Sequence, residues 1–151
     1  DPHSTACAII DSVMDFDYSS GRISFDHADA IIAYVREKDL QVEWLIETHA
    51  HADHLSGAQY LRRRFDASVV IGARIVDVQQ TFKMLFDLPP DFPTDGSQFD
   101  RLLEAPGRQV RFGEVRLVLV VGPGMRGLQP TGQREEHRAV AATLLVVTVV
   151  I

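Results

Sequence analysis

Cysteine is almost absent from this sequence, since Cys7 is the only one among 151 residues. The chain therefore cannot form an internal disulfide. Cys7 lies in an apolar stretch, which predicts a buried small residue and not a nucleophile. No signal peptide is visible from Asp1 onward, and together with the lone cysteine this favours a reducing, cytoplasmic location.

Long apolar runs and positive charge are also missing. The longest apolar run, residues 139–151, has 13 residues, whereas a membrane-spanning helix needs roughly 20. The 15 Lys and Arg residues are outnumbered by 21 Asp and Glu residues, for a net charge of −6. Nucleic-acid binding needs a basic footprint, and the run from Arg62 to Arg64 is typical of a solvated helix face. We therefore expect neither a membrane nor a nucleic-acid partner.

The rest of the composition is that of a globular protein, with 46% hydrophobic and 24% charged residues. Hydrophobic periodicity predicts strands at residues 6–10, 42–48 and 69–71, helices over the apolar positions in 28–35, 55–65 and 78–86, and a hairpin at 110–121. Ser24 or Asp26 is expected to cap the first helix. Residues 15–22 and 88–96 are predicted as loops. Alternating strands and helices followed by a hairpin indicate an α/β layered domain with a mixed sheet.

The composition changes abruptly after residue 121. Residues 122–138 are rich in Gly, Arg, Gln and Pro, and residues 139–151 are apolar, uncharged and β-branched. We therefore divide the chain into residues 1–121 and an atypical tail, 122–151. Apolar, β-branched segments pair with open strand edges, so we expect residues 139–151 to stay exposed and to drive association into a homo-oligomer.

The chemistry is concentrated in Thr48-His49-Ala50-His51-Ala52-Asp53-His54. This motif lies between a predicted strand and a predicted helix, where α/β proteins place ligands. In an extended segment, residues i and i+2 point the same way. His49 and His51 can therefore reach one metal ion, and Asp53 and His54 can point to a second position nearby. Imidazole suits zinc and iron, and a bound metal can acidify water or hold an oxygen species.

The remaining candidates are weaker. His3 and His27 are predicted to be surface residues, and His137 in the tail would be a ligand only by coincidence. Asp11 ends a predicted strand, and two interpretations of it remain open. It either orients a ligand histidine as a neighbouring carboxylate or only ends the strand in a turn.

The motif, with Glu47 before it and Leu55-Ser56-Gly57-Ala58 after it, resembles the His-x-His-x-Asp-His signature of the metallo-β-lactamase superfamily. It is most similar to the persulfide dioxygenase and glyoxalase II branch. Ala52 resembles the persulfide dioxygenases, because glyoxalase II usually carries a bulky aromatic there, and Asp95-Gly96-Ser97-Gln98-Phe99 also resembles that group. The resemblance covers about residues 6–120 and implies an αββα sandwich, here expected to be incomplete at both ends.

The resemblance also implies roles for the motif residues. In di-metal members, His49 and His51 would match ligands of the first metal, and Asp53 and His54 ligands of the second, with Asp53 the catalytic candidate. In persulfide dioxygenases two histidines and an aspartate bind a single Fe(II), and only His49 matches that set. The implied reaction is oxidation of glutathione persulfide by O₂ to glutathione and sulfite. The alternative is a Zn(II)-dependent thioester hydrolase. Either enzyme takes a small-molecule thiol substrate such as a glutathione derivative.

Some positions depart from the family. Met125 stands where the family has a histidine ligand, no Asp follows Asp100, and Ser12 replaces an expected proline. These departures predict a truncated fragment, and a third hypothesis is an inactive fragment with a partial metal site. The tail is interpreted as a frame-shift product, because the ATG codon of Met125 reads as the histidine codon CAT one base upstream if the Gly124 codon ends in C. The nucleotide sequence tests this hypothesis.

Overall fold

A computed structural model describes residues 3–51, 54–104, 109–112, 115–121 and 145–150. In these ranges the strands are β1 (Ala6–Ile10), β2 (Val13–Asp17), β3 (Arg22–Ser24), β4 (Gln41–Glu47), β5 (Leu55–Ser56), β6 (Ser68–Gly72), β7 (Arg101–Leu103), β8 (Gln109–Phe112), β9 (Val115–Val121) and β10 (Leu145–Val150), and the helices are α1 (Asp26–Glu37), α2 (Ala58–Phe65) and α3 (Ile75–Leu85). None of these described helices has the length and apolar character that crossing a membrane requires.

The central sheet is parallel, with the strand order β1-β4-β6-β7. Parallel neighbours need long crossover connections, and α1 and α2 lie in the connections that lead from β1 to β4 and from β4 to β6. Two smaller antiparallel sheets have the orders β10-β9-β8 and β3-β2-β5. The prediction of a mixed α/β domain is therefore confirmed.

Both faces of the parallel sheet are covered. One face buries a cluster formed by α1, α2, β4 and β6, with residues such as Ile32, Leu61 and Leu45 at its centre. On the other face Val110 of β8 packs against residues of β4, β6 and β7. A register shift between Cys7 and Ala8 places Val42 and Leu45 on the same face of β4. Burial on both faces explains why β4 is predominantly apolar and not alternating.

The second helix is shorter than its sequence pattern predicts. Leu55 and Ser56 pair with Met14 and Val13 as strand β5, and α2 begins only at Ala58. The Ser56 hydroxyl accepts a hydrogen bond from the Ala58 backbone N–H at 3.1 Å. The prediction of helix from Leu55 is therefore wrong, because cross-strand pairing takes the first apolar residue of the helical pattern.

The predicted loop at residues 15–22 is also partly wrong. β2 extends to Asp17 and β3 resumes at Arg22, so only residues 18–21 turn. Asp17 accepts hydrogen bonds from the Ser19 and Ser20 N–H groups, and Gly21 adopts the positive φ that the turn requires. The turn residues were correctly identified, but the half-polar flanking strands were not.

Three smaller predictions need correction. Neither Ser24 nor Asp26 caps α1; Phe25 occupies the N-cap position without a side-chain hydrogen bond, and the Ser24 hydroxyl binds Asp26. Cys7 is half-buried and not fully buried, and burial raises the pKa of its thiol, so it still lacks the character of a nucleophile. Strand β7 was not predicted at all.

The tail prediction is wrong for the part that the structure describes. β10 pairs antiparallel with β9, with Leu145 opposite Val121 and Val150 opposite Arg116. The apolar tail therefore covers one edge of β9 in its own chain, and β10 becomes the outer strand of the sheet β10-β9-β8; the expected association into a homo-oligomer stays a prediction. Residues 122–144 lie outside the described ranges.

The buried side of β4 provides a test of the core. Leu45 is 1% exposed in the cluster beneath α1 and α2, so Leu45→Ala should lower the free energy of unfolding by about 2–5 kcal/mol. The matched control is Leu85→Ala at the end of α3, where the residue is 64% exposed and the change should stay within about 0.5 kcal/mol. Urea denaturation measures both. Equal losses would contradict the packing described here.

Candidate metal centre

The centre lies where two parallel strands end side by side. β1 pairs with β4 up to Ile10 and Ile46, so their carboxyl ends meet at one edge of the sheet. Asp11 follows β1 and donates its backbone N–H to the Ile46 carbonyl at 2.8 Å. Its φ of 49° is in the left-handed region, which Asp tolerates better than most residues. This turn brings the Asp11 carboxylate to the start of the histidine motif.

The Asp11 carboxylate accepts three hydrogen bonds. Oδ1 accepts the Thr48 backbone N–H at 2.7 Å and lies 2.9 Å from His51 Nε2, and Oδ2 accepts the Thr48 hydroxyl at 2.6 Å. Burial raises the pKa of this carboxyl, but the hydrogen bonds from Thr48 and His51 outweigh burial, and the pKa lies below its ordinary value. Asp11 is therefore an ionised acceptor. Of the two interpretations that the sequence leaves open, its contact with His51 favours the one in which Asp11 orients a histidine.

These hydrogen bonds determine which ring nitrogens carry protons. Because an ionised Asp11 faces His51 Nε2, that nitrogen is the donor and the lone pair lies on Nδ1. The Thr48 hydroxyl uses its proton on Asp11, so it can only accept from His49 Nδ1, 2.8 Å away. The lone pair of His49 is then on Nε2. Asp11 thus sets one imidazole directly and the other through Thr48.

The structure brings three of the four predicted motif ligands together. The His51 ring centroid lies 4.1 Å from that of His49 and 4.1 Å from that of His54, and Nε2 of His54 is buried. Asp53, the fourth predicted ligand and the catalytic candidate, lies outside the described residues. Asp11, His49 and His51 each offer a donor atom, and these atoms lie within 4.8 Å of one another. This group can hold a metal ion.

The chemistry of the donors fits a borderline cation. A neutral imidazole with one free lone pair is the ligand form that zinc and iron use. The neighbouring carboxylate supplies the hydrogen bond that metal-binding histidines almost always make with their other nitrogen. Asp11 takes part in three hydrogen bonds with Thr48 and His51, of about four that an ionised carboxylate can accept, and these bonds favour an orienting role.

A second carboxylate lies behind the ring of His51. Glu47 is 5% exposed, and its Oε2 is 3.3 Å from His51 Nε2. Its Oε1 accepts the Ser56 hydroxyl at 2.5 Å. Burial raises the pKa of Glu47, and the charge of Asp11 adds to this rise. The hydrogen bond from Ser56 and the interaction with His51 lower the pKa but offset the rise only in part.

Among the described residues, the donor group at the centre does not include His3 or His27. His27, with 75% of its side chain exposed, contacts Asp15, and His3 is exposed. His137 lies outside the described residues. Sequence reasoning assigned no role to Glu47 or to the Thr48 hydroxyl. The available signal was a polar pair ending an apolar strand directly before the histidines.

Several known proteins are similar to this chain in sequence. The sequence profile described as the metallo-beta-lactamase superfamily matches residues 3–149. The chain is 44% identical over 125 residues to Glyoxylase B2 of Dictyostelium discoideum and 45% identical over 124 residues to a probable metallo-hydrolase of Burkholderia pseudomallei. Each alignment covers 82% of this chain and 42% of the relative, so the chain spans less than half the length of these relatives.

A solved structure shares the fold. The crystal structure of ETHE1 from Myxococcus xanthus matches with a TM-score of 0.54 over 82% of this chain and 41% of that one. The sequence identity is 23%, so this likeness concerns the fold alone.

The three hydrogen bonds to Asp11 predict a pH-dependent stability. The folded pKa of Asp11 is lowered, so its contribution is complete above the unfolded pKa of about 3.9 and is lost as the pH falls through the folded pKa. Asp11→Asn should lower the free energy of unfolding at neutral pH by about 1–3 kcal/mol, because an amide cannot accept all three bonds.

Urea denaturation from neutral pH to about pH 3 measures the effect. The difference between wild type and Asp11→Asn should shrink at the acidic end, whereas Asp91→Asn, at an exposed position, should match wild type at neutral pH. A constant difference at every pH would show that the charge of Asp11 does not carry the interaction.

Proposed function

This chain belongs to the metallo-beta-lactamase superfamily, and on that basis we propose that its centre binds a catalytic metal ion through Nε2 of His49, joined by Nδ1 of His51 in the zinc candidate described below. The observation that supports this is the hydrogen-bond pattern around Asp11, which leaves one lone pair on each ring. His54, whose ring centroid lies 4.1 Å from that of His51, and Asp53 are proposed as donors for a second position. The division at residue 121 into a metallo-beta-lactamase-like part and an atypical tail remains part of this proposal.

The activity we propose is oxidation of glutathione persulfide with Fe(II) as the cofactor. The overall reaction takes glutathione persulfide, O₂ and H₂O to glutathione, sulfite and two protons; the outer sulfur loses four electrons, which O₂ accepts. Bound iron supplies the redox chemistry that lets O₂ react. The residues of this chain keep protons on His49 Nδ1 and His51 Nε2, so that both lone pairs stay available. The resemblance of residues 47–58, with the small Ala52, supports this activity over hydrolysis.

A second candidate is thioester hydrolysis with Zn(II). It is favoured by the position of His49 and His51 in one group of possible donors. The zinc pattern uses both histidines for its first metal, whereas the persulfide dioxygenase pattern uses only His49. A zinc ion held by His49 and His51 would supply an activated water as the nucleophile. The names of the relatives, a glyoxylase and a metallo-hydrolase, support this candidate. For both candidate activities, the proposed substrate is a small thiol derivative.

Metal stoichiometry separates the two candidates. After expression with both metals, we expect about one Fe per chain and O₂-dependent loss of glutathione persulfide if the dioxygenase proposal holds. Two Zn per chain with thioester cleavage would favour the hydrolase. We expect low turnover from the 151-residue chain, because Met125 stands where the family has a histidine. A centre that binds metal without either activity would match the third hypothesis, a partial metal site.

Removal of one imidazole tests the centre itself. His49→Ala should abolish stoichiometric metal binding, since both candidates use this ligand and the remaining donors are too few to retain the ion. His27→Ala is the matched control, because that ring lies at the surface beside Asp15 and its loss should leave the metal content unchanged. Metal analysis of dialysed protein measures both. Equal losses in the two variants would indicate adventitious binding by exposed histidines.

A further inference from the structure

The residues immediately before and after the histidine loop are joined to each other. Glu47 is the last residue of β4 and Ser56 is the last residue of β5, and the residues between them carry all four predicted ligands. The Ser56 hydroxyl donates to Glu47 Oε1 at 2.5 Å. One hydrogen bond between side chains therefore closes the loop at its base.

The two ends of this bond are anchored in different sheets. Glu47 belongs to the parallel sheet, where it pairs with Ile71 of β6. Ser56 pairs with Val13 of β2, and the next residue, Gly57, donates its N–H to the Ser12 carbonyl at 2.7 Å. A Cβ at Gly57 would lie 3.1 Å from the Val13 carbonyl oxygen, so the backbone there has little freedom. The Ser56–Glu47 bond connects two firmly placed strands.

The same carboxylate also reaches a ligand ring. Glu47 Oε2 lies 3.3 Å from His51 Nε2, beside the shorter contact of that nitrogen with Asp11 at 2.9 Å. His51 and Glu47 are both nearly buried, with 8% and 6% of their side chains exposed. Two carboxylates, Asp11 and Glu47, therefore face the Nε2–H of His51 and hold the imidazole in this orientation. In the neutral ring, the lone pair then lies on Nδ1.

We propose that Glu47 is a positioning residue for His51, and that its bond with Ser56 is a latch that closes the metal-ligand loop. This inference rests on the proposed metal-binding role of that loop. Ordering a loop costs conformational entropy, and a latch that orders it before the metal arrives removes that cost from the binding step. The latch therefore raises metal affinity without contributing a ligand.

The latch is tested by titrating the metal-free, full 151-residue chain with Co²⁺ alone and following its ligand-field absorption. Ser56→Ala removes the latch and leaves the contact of Glu47 with His51. Glu47→Gln retains an oxygen for Ser56 but turns an amide donor toward the donor edge of His51. Each variant should bind Co²⁺ about 10- to 100-fold more weakly than wild type. Ser56→Thr keeps the hydroxyl at an exposed strand position and should bind within about threefold of wild type, in the range that changes outside the centre produce.

Two controls match the chemical changes. Glu37→Gln removes a charge from a side chain that is 68% exposed, and Ser97→Ala removes an exposed hydroxyl; both should bind Co²⁺ like wild type. The shape of the absorption band distinguishes positioning from partial unfolding. Unfolding scales the band down, whereas a displaced His51 changes its wavelength and shape.

The outcomes are separable. Wild-type affinity in both Ser56→Ala and Glu47→Gln would overturn the latch while leaving the metal centre intact, and so would equal weakening in Ser56→Ala and Ser56→Thr. Absence of Co²⁺ binding by folded wild type would overturn the proposed function together with the latch. If Ser56→Ala does not fold, Glu47→Gln decides alone, with weakened binding and an altered band supporting the proposal and an unchanged titration contradicting it.

Discussion

The centre depends on a single carboxylate that accepts three hydrogen bonds at the junction of two parallel strands. Asp11 receives the backbone N–H and hydroxyl of Thr48 and the ring N–H of His51. The pairing of β1 with β4 brings these groups together, and the left-handed backbone of Asp11 turns its side chain toward them. Without this acceptor, the Thr48 hydroxyl could donate to His49 instead, and only Glu47 would face Nε2 of His51. The arrangement of lone pairs at the centre is therefore a consequence of how the two strands end.

The centre concentrates negative charge before any cation is bound. Asp11 and the buried Glu47 both face Nε2 of His51, and the raised pKa of Glu47 reflects its burial and, to a lesser extent, the nearby charge of Asp11. Such an arrangement costs stability in the free protein. A divalent cation on the far side of the imidazoles would offset part of that cost, so metal binding and folding stability are expected to be coupled.

The sequence was sufficient for features that local patterns encode. β1, β4, β6 and the β8–β9 hairpin follow from apolar runs, and the histidine motif follows the strand β4 as predicted, although the short strand β5 separates it from α2. β5 was missed because Leu55 continues the apolar spacing of α2, and only its pairing with Met14 makes it a strand. The tail pairing was missed because nothing in residues 122–138 indicates a return to β9.

The roles of single side chains at the centre were harder to predict. Asp11 and Thr48 are 37 positions apart in the chain, so the sequence leaves two interpretations of Asp11 open, and its hydrogen bonds with Thr48 and His51 favour the orienting role. Glu47 was overlooked because a carboxylate at the end of an apolar strand normally marks the exit to solvent. Its burial arises from packing against His51 and Ser56, which no local pattern reports.

The central claim is that the hydrogen bonds that Asp11 accepts place the ring proton on Nδ1 of His49 and on Nε2 of His51. Long-range proton–nitrogen correlation spectra of the metal-free chain with isotope-labelled histidines measure these tautomers directly, at a pH well above the ordinary histidine pKa of about 6.5. The structure predicts a proton on Nδ1 of His49 and on Nε2 of His51. The same tautomer on both rings, or rapid exchange between the two forms on either ring, would contradict the account.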